Sequence, residues 1–336
     1  VRRPISLALA ALVAFGALTA CTPQAEPEAA STPTPKAPTP TPTPTVEALL
    51  VGPGDKPPTL FGEDCGSALS PEDVRRVTGA ELSLASSDSA GQVGNVGGLA
   101  CSWEAEGTAV RIEILPRAGL GDAQFPVDQA AYYFDDCVAE WVCSGRTETV
   151  ELWLSASFQY FPGTDRAQID AWTSDLAGVV FANAAATESR PWTRDRTGWW
   201  GDLDCEALAG VMSRELGAEL TGAKGGYIDP PLPGVLLAAE ASKWSNCYLQ
   251  DETRALEISS SSGGAWALPS SPDDEAFETG VPGITAWIDS GFWSTTAAGY
   301  TMTDGVNMLS AYVPTDAPWS AEDAVRALAR AVADWQ

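Results

Sequence analysis

The sequence predicts an α+β protein made of two tandem related modules, each an antiparallel sheet with an N-terminal and a C-terminal helix, and disulfide-bonded. Three observations predict it. The string DCGSALSPEDVRRVTGAEL from Asp64 is echoed by DCEALAGVMSRELGAEL from Asp204. Each echo is followed by a further cysteine, Cys101 or Cys247, among segments that alternate apolar and polar residues. Each half then closes on a stretch with apolar residues at helical spacing.

The elements follow in order. Arg2 and Arg3 precede an apolar run from Ile5 to Leu18, too short to span a bilayer comfortably but of signal-peptide length. The run ends in Leu18-Thr19-Ala20-Cys21, which looks like a bacterial lipobox. That resemblance implies cleavage after residue 20 and a lipid on Cys21; the alternative is an ordinary secretory signal with a chance cysteine. Residues 21–57 read as the lipidated cysteine and a disordered spacer. Its Pro/Thr-rich stretch from Thr22 to Thr45 has too little apolar surface to fold and favours extended polyproline II, reaching on the order of 70 Å at about 3.1 Å per residue.

The first module is expected over 58–186. Ser70 is placed to cap a helix with Pro71 in its first turn, Leu69 and Val74 to staple it, and Gly79 to end it. The glycine-rich AGQVGNVGG, Ala90 to Gly98, lacks a dinucleotide or P-loop spacing and reads as a flexible loop. TAVRIEIL and TVELWLSASF read as strands. Asp165 and Gln168 then open a helix with Ile169, Trp172, Leu176 and Val179 on one face. A polar, proline-containing linker is expected over 187–198, and the second module over 199–336. There Leu208, Val211, Met212 and Leu216 mark a helix stopped by Gly217. RALEIS, AAGYTMT and VNMLSAYV mark strands, and Ser320 and Asp323 begin the closing helix with Val325, Leu328, Val332 and Trp335.

Seven cysteines become six once Cys21 is assigned to lipid, and six allow fifteen pairings. The repeat selects Cys65 with Cys101 and Cys205 with Cys247, leaving Cys137 to Cys143. Six residues of unbroken helix rise about 9 Å, so that last bond requires the chain to bend between its cysteines.

A cysteine before a short helix, then Cys101-Ser102-Trp103 opening a strand, behind a lipobox and a Pro/Thr spacer, resembles small actinobacterial cell-envelope lipoproteins of uncharacterised function. Similar modules occur as extracellular sensor domains of receptor kinases. The resemblance implies fold and compartment and transfers no catalytic residue. The second half departs from it, with Tyr248-Leu249 after Cys247.

Composition bounds the chemistry. The formal net charge is -26, and loss of residues 1–20 removes two arginines and no acid, giving -28. Such acidity argues against a nucleic-acid partner. The chain has no histidine, which excludes His-based catalytic triads and His-ligated metals. No metal or cofactor is expected. Carboxylate pairs are the remaining enzyme chemistry: Glu104 with Glu106, Asp135 with Asp136, Asp202 with Asp204, and Asp273-Asp274-Glu275. The same acids could ligate calcium, though no calcium-loop pattern accompanies them. Thirteen tryptophans are the more suggestive feature. Trp199, Trp200, Trp266, Trp287 and Trp293, in loop-like surroundings, are the candidate binding residues, since indole rings stack on sugars and anchor interfaces. The expected function is a membrane-anchored extracytoplasmic lipoprotein, not an enzyme, that binds an envelope glycan or an envelope protein. The alternatives are a carboxylate-based glycan hydrolase and a structural scaffold.

Overall fold

The structure is a computed structural model and describes residues 47–127, 142–187, 190–226, 232–268, 276–289 and 296–333. Cys21, Asp135, Asp136, Cys137, Asp273 to Glu275, Trp293 and Trp335 lie outside the described residues. The chain from Val46 to Gln336 forms one compact unit.

Strand β1 (Leu49–Val51) comes first, then α1 (Cys65–Ala68) and α2 (Pro71–Thr78). The Ser70 side chain accepts from Asp73 N–H, Leu69 and Val74 are fully buried, and Gly79 takes the left-handed conformation that ends the helix. The chain continues through β2 (Ser83–Asp88), α3 (Gly91–Asn95), β3 (Leu99–Ala105), β4 (Thr108–Pro116) and α4 (Arg117–Leu120). After β5 (Val142–Glu148) and β6 (Leu152–Gln159) comes α5 (Arg166–Ala186), capped by Asp165 through Gln168 N–H. Strand β7 (Trp192–Arg194) leads to α6 (Cys205–Leu216), capped by Asp204 and ended by left-handed Gly217. Then follow β8 (Thr221–Lys224), α7 (Pro233–Ala241), β9 (Ser245–Gln250) and β10 (Ala255–Ser261). The chain ends with β11 (Ala276–Glu278), β12 (Thr285–Ile288), β13 (Ala297–Thr303), β14 (Met308–Pro314) and α8 (Ala321–Ala333), where Ser320 accepts from Asp323 N–H.

Apart from β1 and β7, the described strands form two antiparallel sheets. The five-stranded sheet runs β2-β3-β4-β6-β5 and the seven-stranded sheet β8-β9-β10-β14-β13-β12-β11. Each sheet buries one apolar face under helices: Trp103, Ile112, Leu154 and Phe158 under α5, and Leu249, Ile258, Leu309 and Val313 under α6 and α8. Alternation along the strands turns the residues between these, such as Ser102, Arg111, Glu113 and Ser155, to the opposite face.

Disulfides Cys65–Cys101 and Cys205–Cys247 tie the helix before each sheet to its second strand, with Cα separations of 5.7 and 5.5 Å. Cys143 is also disulfide-bonded, while its expected partner Cys137 lies outside the described residues. Bonds of this kind suit an oxidising, extracytoplasmic compartment. No helix among the described residues is long and apolar enough to cross a membrane.

Three segments differ from their sequence reading. Leu49–Val51, assigned to the spacer, pairs in parallel with Trp192–Arg194, assigned to the linker. Strands of three residues are too short to show periodicity, and their pairing is long-range. The glycine-rich 90–98 segment is no loose loop: it carries α3, and Val93 to Leu99 are buried. Its glycines serve close packing, since a Cβ at Gly94 would overlap Ser89 O and one at Gly98 would overlap the Leu115 side chain and Ile114 O.

Candidate functional site

The second faces of the two sheets build the candidate site. Helix α3, which leaves the first sheet, reaches β10 of the second through buried Asn95, whose Nδ2 donates to Ser262 O at 2.7 Å and Ser261 Oγ at 3.3 Å. Helix α7, which leaves the second sheet, packs on β4 and β6 of the first and also meets α3. A third apolar cluster, including Val93, Leu115, Leu120, Trp153 and Leu237, sits at this joint. Trp153, which a strand pattern cannot orient by itself, faces this cluster and stacks with Phe125 at 5.8 Å between ring centroids.

Under α7 lies Glu113, the residue at the centre of the site. It is fully buried on β4. Ser155 Oγ and Gly234 N–H both donate to its Oε2, and Oε1 has no partner among the described residues. Burial pushes its carboxyl up to about 7, against the opposing hydrogen bonds from Ser155 and Gly234 and the charge of Arg111. Glu113 lines a cavity of about 300 Å³ with Asp88, Ser102, Glu104, Arg111 and Val235. Arg111 lies 3.6 Å from Glu104 Oε1, which also accepts from Ser102 Oγ at 2.7 Å. Gly91 and Gln92 line this cavity and also a second one of about 190 Å³, formed with Ser259, Met308 and Ser310 on the other sheet and Trp266 in the turn after β10.

A polar clasp holds the joint. Arg194 donates to three carbonyls, Asn95 O at 2.6 Å, Gly263 O at 2.7 Å and Pro53 O at 3.2 Å. Burial and the charge of Arg196 lower its guanidinium pKa to about 10, which leaves it charged at neutral pH. Arg196 donates to Gly119 O at 2.9 Å.

The tryptophans singled out by sequence fall in different settings. Trp200 is buried in the second core, which leaves no indole face for a ligand. Trp199 donates to Pro53 O at 2.9 Å and lies under Arg194 and Arg196, so it belongs to the clasp. Trp266 donates to Asn95 Oδ1 at 2.9 Å and still lines the second cavity. Trp287 is half-buried and pairs with Thr301 on the second sheet. Of the carboxylate pairs' described members, Glu104 alone lines the Glu113 cavity; Glu106 sits in a left-handed turn, Asp204 caps α6, and Asp202 pairs loosely with Lys224 at 3.8 Å. Among the described residues no group of three acids or cysteines is placed to hold a metal.

Sequence reasoning missed Glu113, Asn95, Arg194 and Gly234. A signal for the first existed: VRIEIL puts Arg111 and Glu113 on one strand face, marking that face as polar. No family, no curated protein and no solved structure matches the chain.

Proposed function

We propose that this chain is a membrane-anchored extracytoplasmic lipoprotein, built of two copies of one module, whose shared cleft binds a polar envelope ligand without catalysing a reaction. The lipobox-like Leu18 to Cys21, the Pro/Thr spacer and the disulfides support the anchor and compartment. Matching registers support duplication. Cys101, Ile112 and Ala156 lie in one cross-strand row of the first sheet, as Cys247, Ile258 and Ala311 do in the second. Strand order supports it too, because in each sheet the last strand of the half lies fourth, beside the third.

One observation carries the binding role. The helix inserted after the first strand of each sheet reaches across to the other sheet, and the polar faces then share a pair of cavities around Gly91 and Gln92. A cleft made from two tethered halves suits a ligand that both contact. The test is photo-crosslinking in the native envelope from a probe at Gln92, with a second probe at exposed Val150 as control. Capture of a glycan or protein from Gln92 alone supports the reading; equal capture from both sites rejects it. Metabolic palmitate labelling that persists in Cys21→Ala rejects the anchor.

A second reading, carboxylate-based glycan hydrolysis, is favoured by one observation. Glu113 keeps its proton close to neutrality, as an acid catalyst must. Hydrolysis of an envelope glycan that is abolished by both Glu113→Gln and Glu104→Gln selects it over simple binding.

A further inference from the structure

We propose that the ligand of this cleft is a short neutral saccharide, one ring in the Glu113 cavity and the next against Trp266. The inference rests on the binding role above and names its chemistry.

Glu113 Oε1 is a buried oxygen without a partner among the described residues, and Glu113 is one of the residues lining a cavity of about 300 Å³. A buried polar atom is costly to leave unpaired, and a bound ligand can supply what the fold does not. A sugar hydroxyl meets the need in either protonation state, donating to the carboxylate or accepting from the protonated acid. The other polar groups around it are of the same kind. Arg111 and Glu104 present planar forks and Ser102 a hydroxyl, a set that brackets neighbouring hydroxyls.

Other ligand classes fit less well. An anion would face Asp88, Glu104 and Glu113 against one arginine. An organic cation would satisfy Oε1, but Arg111 already acts on Glu113 and lines the same cavity. A metal ion lacks a three-acid cluster among the described residues.

The second cavity completes the pattern. Trp266 and Met308 offer it apolar surface, and Ser259 and Ser310 offer hydroxyls on adjacent strands. An indole face against the C–H face of a pyranose, with hydroxyls at the ring edge, is the ordinary way such a surface holds a sugar. The cavities are about 300 and 190 Å³ and both are lined by Gly91 and Gln92, so each suits a single ring. Pockets for larger organic ligands run to about 1,000 Å³.

The experiment is saturation-transfer NMR and calorimetry of the full chain with N-acetylglucosamine, chitobiose, cellobiose, maltotriose and α-mannobiose at millimolar concentration. At least one disaccharide or trisaccharide is expected to bind. Arg111→Ala, a change at a half-exposed side chain, should weaken it by about tenfold. Ser310→Trp, which fills the second cavity, should abolish the advantage of the longer sugar over a single ring. No binding by any probe, or binding unchanged in both variants, overturns the proposal. If crosslinking from Gln92 still captures an envelope ligand when all sugars fail, the saccharide assignment falls and the binding role stands. If both fail, both fall.

Discussion

Gly234, in the first turn of α7, donates its backbone N–H to the side chain of Glu113 at 3.4 Å, although 121 positions separate them. Helix α7 has no side-chain cap of its own. A carboxyl group from the other sheet supplies the acceptor that the first turn lacks, where the helix dipole favours negative charge. Desolvation works against that charge and prevails, so the group ionises near pH 7.

Stability should therefore depend on pH through Glu113. Its folded pKa of about 7 lies above the unfolded value of 4.5, so the folded state holds more protons between those limits. Rising pH through that window removes stability, on the order of 3 kcal/mol for this group alone. Denaturant titrations at pH 4.5 and pH 8 should show the loss in the wild type, and a clearly smaller loss in Glu113→Gln. Equal pH profiles for the two proteins would contradict the burial.

Gly234→Ala should destabilise the protein by about 1–3 kcal/mol, because an added Cβ would overlap the side chain of Glu113. Alanine normally favours a helix over glycine by about 1 kcal/mol. Gly178→Ala is the control, since α5 leaves open space there and the substitution should stabilise. Melting temperatures that shift in opposite directions establish the close docking of α7; matching upward shifts refute it.

Asn95→Ala removes the bonds to Ser262, Ser261 and Trp266 together. Unpairing these groups should cost about 1–3 kcal/mol. The loss should appear as faster hydrogen exchange in α3 and in residues 261–266, with exchange in α5 unchanged. Uniform acceleration across the chain would mean that Asn95 supports the whole fold and not the joint.

Replacing Cys65 and Cys101 together by serine opens a loop spanning 36 residues and should cost about 3–4 kcal/mol by chain entropy. Denaturant midpoints of the oxidised protein and the double variant measure it. Non-reducing peptide mapping of the native protein should recover Cys65 with Cys101 and Cys205 with Cys247; recovery of crossed pairs would exclude this connectivity.

Local physics made much of the fold legible. Ser70 and Asp165 cap helices where their position before an apolar run says they should, and Gly79 and Gly217 end two helices. These signals act within one helical turn, so the sequence displays them directly. The two disulfides were legible because the same local string occurs twice. Trp199 and Trp266 were visible as unusual residues, but their partners, Pro53 O and Asn95 Oδ1, lie 146 and 171 positions away. No window along the chain contains such a pair.

The sequence by itself displayed the capped helices and alternating strands of each half, the two repeated cysteine pairs and the acidic composition, all set by spacing and composition. The tertiary structure decided which face of each sheet would be covered by the other half, and with it the burial of Glu113. It also turned a glycine-rich stretch into a packed helix and set Arg194 over three distant carbonyls. Desolvation and close approach depend on everything brought within a few ångströms, and a strand pattern specifies only which way a residue points.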